Sequence, residues 1–78
     1  MTTGILGYNS DNGRYGVLVM DLWLIEGFHC GDTLEVWDRD NEQWIPTRME
    51  MRWKNEWYLV GTKYSGKALE GLKVRVNK

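Results

Sequence analysis

The chain has a single cysteine, a single proline, no long apolar run and almost no net charge, and each shortage removes a class of protein. Cys30 alone cannot close an internal disulfide. The apolar runs Val17 to Met20 and Leu22 to Ile25 are broken by Asp21 and stopped by Glu26, far short of the roughly 18 residues that a membrane span needs. The N-terminus shows no basic stretch followed by an apolar run and a cleavage site, so the expected location is the cytoplasm, with no membrane role. A net charge of −1 is weak for a protein built mainly to hold nucleic acid, since phosphate neutralisation supplies most of that affinity. Repeats, linkers and low-complexity segments are absent as well.

What remains is a globular composition, 42% hydrophobic and 27% charged, with nine glycines. Its 78 residues make one domain, 1–78, because a chain this short buries only about 60% of its unfolded surface and supports one core. Many glycines and one proline suit a sheet with tight turns. The charge is unevenly placed: Lys63, Lys67, Lys73, Arg75 and Lys78 face only Glu70 in the last segment, a basic edge on an acidic body.

The centre of the chain is a β-meander. Asp32 to Trp37, Gln43 to Trp53 and Glu56 to Gly61 are rich in tryptophan and β-branched residues and are separated by Arg39-Asp-Asn-Glu42 and Lys54-Asn55. Alternation puts Leu34 and Val36, then Ile45, Thr47, Met49 and Met51, on a core face, leaving Trp37, Trp44, Arg48 and Arg52 on the opposite one. Trp57 and Leu59 alternate with Tyr58 and Val60, apolar on both sides, which predicts a central strand. Pro46 cannot donate to a ladder and predicts an edge or a bend.

Before the meander, Gly4 to Tyr8 and Arg14 to Val19 flank Asn9-Ser-Asp-Asn-Gly13, a hairpin signal. Glycines 4, 7 and 16 read as close backbone approaches or bulges, and Met20 to Phe28 as extended or irregular chain. After it, Ala68 to Gly71 suits one helical turn, and Leu72, Val74 and Val76 alternate with Lys73, Arg75 and Asn77 in a last strand. The expected fold is therefore all-β: a small SH3-like barrel of five or six short strands with one helical turn before the last, the alternative being an open β-meander that dimerises. Leu34, Val36, Ile45, Met49, Leu59, Leu72, Val74 and Val76 are the expected core.

Gly4-Ile-Leu-Gly-Tyr-Asn-Ser-Asp-Asn-Gly-Arg-Tyr-Gly-Val17, His29-Cys-Gly-Asp32, Trp44-Ile-Pro-Thr-Arg48, Trp57-Tyr-Leu-Val-Gly61 and Leu69-Glu-Gly-Leu-Lys-Val-Arg-Val76 together resemble a family of small bacterial domains of unknown function. The family occurs in Gram-positive bacteria and often on their mobile elements. The resemblance covers nearly the whole chain, departs most at Met20 to Phe28 and Lys63 to Lys67, and implies a cytoplasmic, mobile-element setting without an assigned chemistry.

Three patterns suggest chemistry and fail on inspection. His29-Cys30 would be a nucleophile beside its base, but neighbours on an extended chain point opposite ways and no third group orients the ring. The expected roles are a buried Cys30 and a His29 that holds the turn before Asp32. Asp38, Asp40 and Glu42 are spaced like calcium ligands, yet Gln43 and Met49 stand where such a loop needs glycine and glutamate. Gly61-Thr-Lys-Tyr-Ser-Gly-Lys67 has the spacing of a phosphate loop, but Ala68 replaces the hydroxyl that holds magnesium and too little chain follows for a βαβ unit. No enzyme, cofactor or metal is expected.

The informative residue is tryptophan, five in 78. Trp37, Trp44, Arg48 and Arg52 on one outer face would make a rigid, partly apolar anchor for a protein partner; equally, the rings could cover the Met20 to Phe28 segment or lie flat over arginine stems as a minor second core. The expected function is a non-catalytic interaction module. Its special cases are a homodimer and, by analogy, a mobile-element inhibitor of a host defence nuclease such as a CRISPR effector. The alternative is a nucleic-acid-binding accessory protein using Lys63, Tyr64, Lys67, Lys73 and Arg75, with Lys78 at the end of the same edge.

Overall fold

The computed structural model describes every residue from Met1 to Lys78. Seven strands are present, β1 (Thr2–Asn9), β2 (Arg14–Val19), β3 (Leu22–Ile25), β4 (Thr33–Asp38), β5 (Gln43–Arg52), β6 (Glu56–Leu59) and β7 (Lys73–Val76), with one 3₁₀ turn at Gly66–Leu69. All pairings are antiparallel, and the strand order is β3-β2-β1-β7-β4-β5-β6.

Local chemistry sets the turns. In the β1–β2 loop the Asn9 and Asn12 side chains accept the Asp11 and Arg14 amides, both at 3.0 Å, and Gly13 takes a positive φ of 71°. The β2–β3 turn is made by Met20 and Asp21, both at positive φ. Such a two-residue turn normally carries Asn or Gly, so Met-Asp gives no signal in the sequence and hides the β3 strand. In β5, residues 43–48 pair with β4 and residues 49–52 with β6. Pro46, opposite Glu35, lies where β4 is the only strand neighbour, as a residue without an N–H requires.

The sheet is open, since β3 and β6 do not pair; the closed barrel is not formed. It curls enough that strands from both halves share one core. Leu6 and Val17 meet Leu34, Val36, Met49, Trp57, Leu59, Val74 and Val76 there, with Phe28 and Leu69 from the connections. Across the unpaired side of the curl, where no ladder forms, side chains make the link: Tyr15 Oη donates to the Gly66 carbonyl at 3.1 Å and Trp57 Nε1 to the Gly13 carbonyl at 3.0 Å. Arg14 stacks over Trp57 and donates to the Phe28 carbonyl.

Six of the eight expected core residues are buried, while Ile45 and Leu72 are half-buried against the same cluster. Three expectations are corrected besides the barrel. The strands number seven, because Leu22–Ile25 is a strand. The helical turn falls two residues early, where Gly66 at φ 55° can open it. Strand β6 is last in the sheet, not central: Arg52 covers Tyr58 from the outer side at 4.2 Å, and residues 64–65 lie along the free edge through a Leu59-to-Tyr64 hydrogen bond and a Tyr58–Ser65 bridge. The close approaches at glycines are present; a Cβ on Gly16 would stand 2.1 Å from the Ile25 carbonyl oxygen.

Leu59→Ala should destabilise the domain by about 2–5 kcal/mol and Phe28→Ala by about 3–5 kcal/mol, whereas Leu22→Ala, at a side chain 74% exposed, should stay within about 0.5 kcal/mol; urea unfolding measures all three. Burial, then the nearby Glu70 carboxylate and Tyr8, raises the Tyr15 hydroxyl above its ordinary 10.0. Its contribution is therefore fully present below about pH 10 and lost as pH rises through the raised value. Tyr15→Phe should cost about 1 kcal/mol near neutrality by losing the Gly66 bond, and should flatten the alkaline limb of the stability curve.

Candidate interaction face

Because side chains alternate, every strand that lines the core also builds the outer surface. Registers across the sheet set Trp23 beside Leu18, Leu18 beside Ile5, Ile5 beside Lys73, and Trp37 beside Trp44. Lys73 falls next to Trp37, since Val74 pairs with Val36 and Arg75 with Glu35. The result is one apolar stripe across the outer face, with a lysine in its middle.

At one end, Leu18 and Trp23 lie over Gly7, where a Cβ would stand 2.8 Å from Leu18 Cδ1. A side chain at this position would have to push the end of Leu18 off β1. At the other end, Trp37 and Trp44 meet edge to face with centroids 5.3 Å apart. Arg75 stacks on Trp44 at 4.4 Å and is held there by a 2.6 Å bond to Glu35. Lys73 Nζ stands 5.3 Å from the Trp37 centroid and 5.8 Å from that of Trp44.

Both tryptophans are thus half-buried under basic stems, as the reading of them as a minor second core expected, though under Lys73 and Arg75. They are exposed enough to be touched and packed enough to be rigid. The cations on them, however, are Lys73 and Arg75, not Arg48 and Arg52. Arg48 pairs with Glu50 at 3.0 Å; Arg52 pairs with Glu56 at 3.4 Å. Arg48 lies roughly 13 Å along β5 from Trp44, four residues of strand away. The set proposed for nucleic acid is split as well. Lys73 and Arg75 join the tryptophans, whereas Lys63 bonds Asp40, Tyr64 packs on the core and Lys67 lies in the 3₁₀ turn. Cross-strand register, invisible in one sequence, merges two residues of each set.

Trp53 is missed by sequence reasoning. It is 86% exposed, beside Lys54 and Asn55, both at positive φ, at the tip of the β5–β6 hairpin. Its place next to a Lys-Asn turn is the signal that could have marked it.

The other candidate clusters are local structure. Asp38 accepts from the Asn41 side chain at 2.8 Å and from the Asp40 amide, and the Asn41 bond foremost holds its carboxyl below the ordinary carboxylate range. That turn satisfies itself. His29 and Asp32 close another: the His29 amide donates to the Asp32 carboxylate at 2.8 Å and the Asp32 amide to the His29 carbonyl at 3.1 Å. Cys30, expected inside, is exposed, because Gly31 at φ 93° swings the chain outward and Phe28 takes the core position instead.

These features define a small antiparallel β domain with an aromatic and basic outer face. The chain belongs to the family described as "Domain of unknown function (DUF5348)", whose pattern matches residues 4–76. It is similar to a protein from Ruminococcus gnavus, a Gram-positive bacterium, whose crystal structure was a Northeast Structural Genomics Consortium target. The two share 36% identity and a TM-score of 0.77 over 96% of this chain and 100% of that one. No curated protein matches the sequence. No helix is long and apolar enough to cross a membrane.

Exposure makes Cys30 reactive without unfolding: a maleimide added to the native protein should label it to completion in water, at a rate unchanged by the stabilising salt sulfate. Labelling that required denaturant would restore a buried thiol.

Proposed function

We propose that this domain is a non-catalytic interaction module that binds a protein partner through the outer face around Trp37 and Trp44. The single observation carrying the reading is the T-shaped tryptophan pair locked by Arg75 and Glu35: a large, preorganised, partly apolar surface loses little side-chain entropy on binding. Trp37, Trp44, Lys73 and Arg75 form its centre, and Ile5 extends it. Arg48 and Arg52, held by their own carboxylates, belong to its rim.

A nucleic-acid reading gains Lys73 and Arg75 beside two stacking rings. Against it, Glu35 cancels Arg75, and Arg48 and Arg52 are likewise cancelled by Glu50 and Glu56, so the face offers a polyanion one uncompensated cation. Self-association through the free β3 edge meets a similar obstacle. In the two-fold register that pairs Leu22 with Ile25, Asp21 stands against Glu26 of the second copy. A mobile-element inhibitor of a host nuclease is the special case in which the partner is that nuclease.

A photo-crosslinking residue at Ile5 in the cell of origin should trap a discrete protein, and the adduct should vanish in the Trp37→Ser/Trp44→Ser double variant. Purified protein should bind single- or double-stranded DNA and RNA no more tightly than the non-specific range of about 10⁻⁴–10⁻⁶ M at physiological salt. Submicromolar nucleic-acid binding that depends on both tryptophans would overturn the proposal.

A further inference from the structure

We infer that the partner segment recognised by this face is acidic and apolar: it lays apolar side chains along the stripe from Ile5 to Trp44 and places one carboxylate on Lys73. The inference rests on the reading of the face as a protein-binding surface and concerns what that surface selects.

The charge arrangement carries it. Seven charged side chains point outward from strands β4 to β7, namely Glu35, Arg48, Glu50, Arg52, Glu56, Lys73 and Arg75, while Arg14 on β2 is turned onto Trp57 and the Phe28 carbonyl. Six are joined in neighbouring pairs, Arg75 with Glu35, Arg48 with Glu50 and Arg52 with Glu56. Lys73 has no carboxylate partner. It stands between Ile5 on β1 and Trp37 on β4, in the middle of the apolar stripe rather than at its margin.

In the free protein this lysine is exposed, with its ammonium in water and in contact with the tryptophan rings. A purely apolar partner covering the stripe would strip water from that ammonium and leave it unpaired, a penalty large enough to forbid close docking. A partner carboxylate removes the penalty and adds a charge-assisted bond in a setting that the rings keep partly dry. The match is to a single negative charge. Arg75, on the same β7–β4 pair, is already neutralised by Glu35 and offers no second free cation, so a phosphate dianion or a nucleic-acid backbone is less well compensated than a carboxylate. Lysine also discriminates: a basic segment meets Lys73 with like charge, whereas neutral apolar segments leave it buried without a partner.

The test selects binders from a phage-displayed library of short random peptides on the immobilised full-length chain. Four forms are compared: wild type, Lys73→Met, Lys73→Glu and the Trp37→Ser/Trp44→Ser double variant, each with its fold checked by circular dichroism. Wild type should enrich peptides that combine aromatic or aliphatic residues with Asp or Glu. Those peptides should bind Lys73→Met about fivefold more weakly, and Lys73→Glu should select Lys or Arg in place of the acid. Loss of binding to the double variant shows that the selected peptides use this face. Peptides that need both tryptophans but show no preference for acid, or bind wild type and the Lys73 variants equally, would overturn the carboxylate and leave the interaction face standing. Failure to enrich any tryptophan-dependent peptide would overturn both, as would displacement of the peptides by submicromolar single-stranded DNA.

Discussion

Strand β7 is the joint on which the structure depends. Without it the chain would be two separate meanders, β1 to β3 and β4 to β6, and neither three-stranded sheet could bury its apolar face alone. Four residues, Lys73 to Val76, pair with β1 on one side and β4 on the other and turn the two halves into one sheet. Val74 and Val76 point inward and are buried with Leu6, Leu34 and Val36. The pairing of Thr2 with Val76 brings the two ends of the chain together, a closure whose entropic cost the shared core must offset.

The same strand makes the outer face. With a side-chain period of two, fixing Val74 and Val76 in the core fixes Lys73 and Arg75 outside, between Ile5 and the tryptophan pair. Fold and candidate function are thus mechanically linked, since a slip of one residue in β7 would bury both cations and expose both valines. Glu35 and Arg75 add a check on that register, because their 2.6 Å bond forms only when they stand opposite each other.

The open edges are handled differently at the two ends of the sheet. At β6, residues 64–65 and the following turn cover the free edge. At β3 the strand is only four residues long and is bounded by Asp21 and Glu26, short length and charge being the usual defences against edge pairing. Leu22 and Met20, 74% and 91% exposed, remain beside it. Between the ends, Tyr15 and Trp57 hold the curl through single hydrogen bonds to backbone carbonyls, so the sheet curves without closing.

The sequence by itself determined the all-β class, the meander, the strand faces at Leu34, Val36, Met49, Leu59, Val74 and Val76, the one helical turn and the family, because alternation, glycine-rich turns and the absence of helical periodicity are local properties. It also marked Trp37, Trp44, Lys73 and Arg75, though as members of two rival sites. Only the tertiary structure decided that these four belong together: residues about 30 to 40 apart in sequence become neighbours through the β7–β4 ladder, and nothing local encodes a ladder partner. Tertiary structure likewise placed Cys30 outside, by giving the core position to Phe28, put β6 at an edge, and revealed β3 behind a Met-Asp turn that carries no turn signature. Which strands pair is a property of the whole chain's packing, and the face that pairing creates could be read only once the pairs were known.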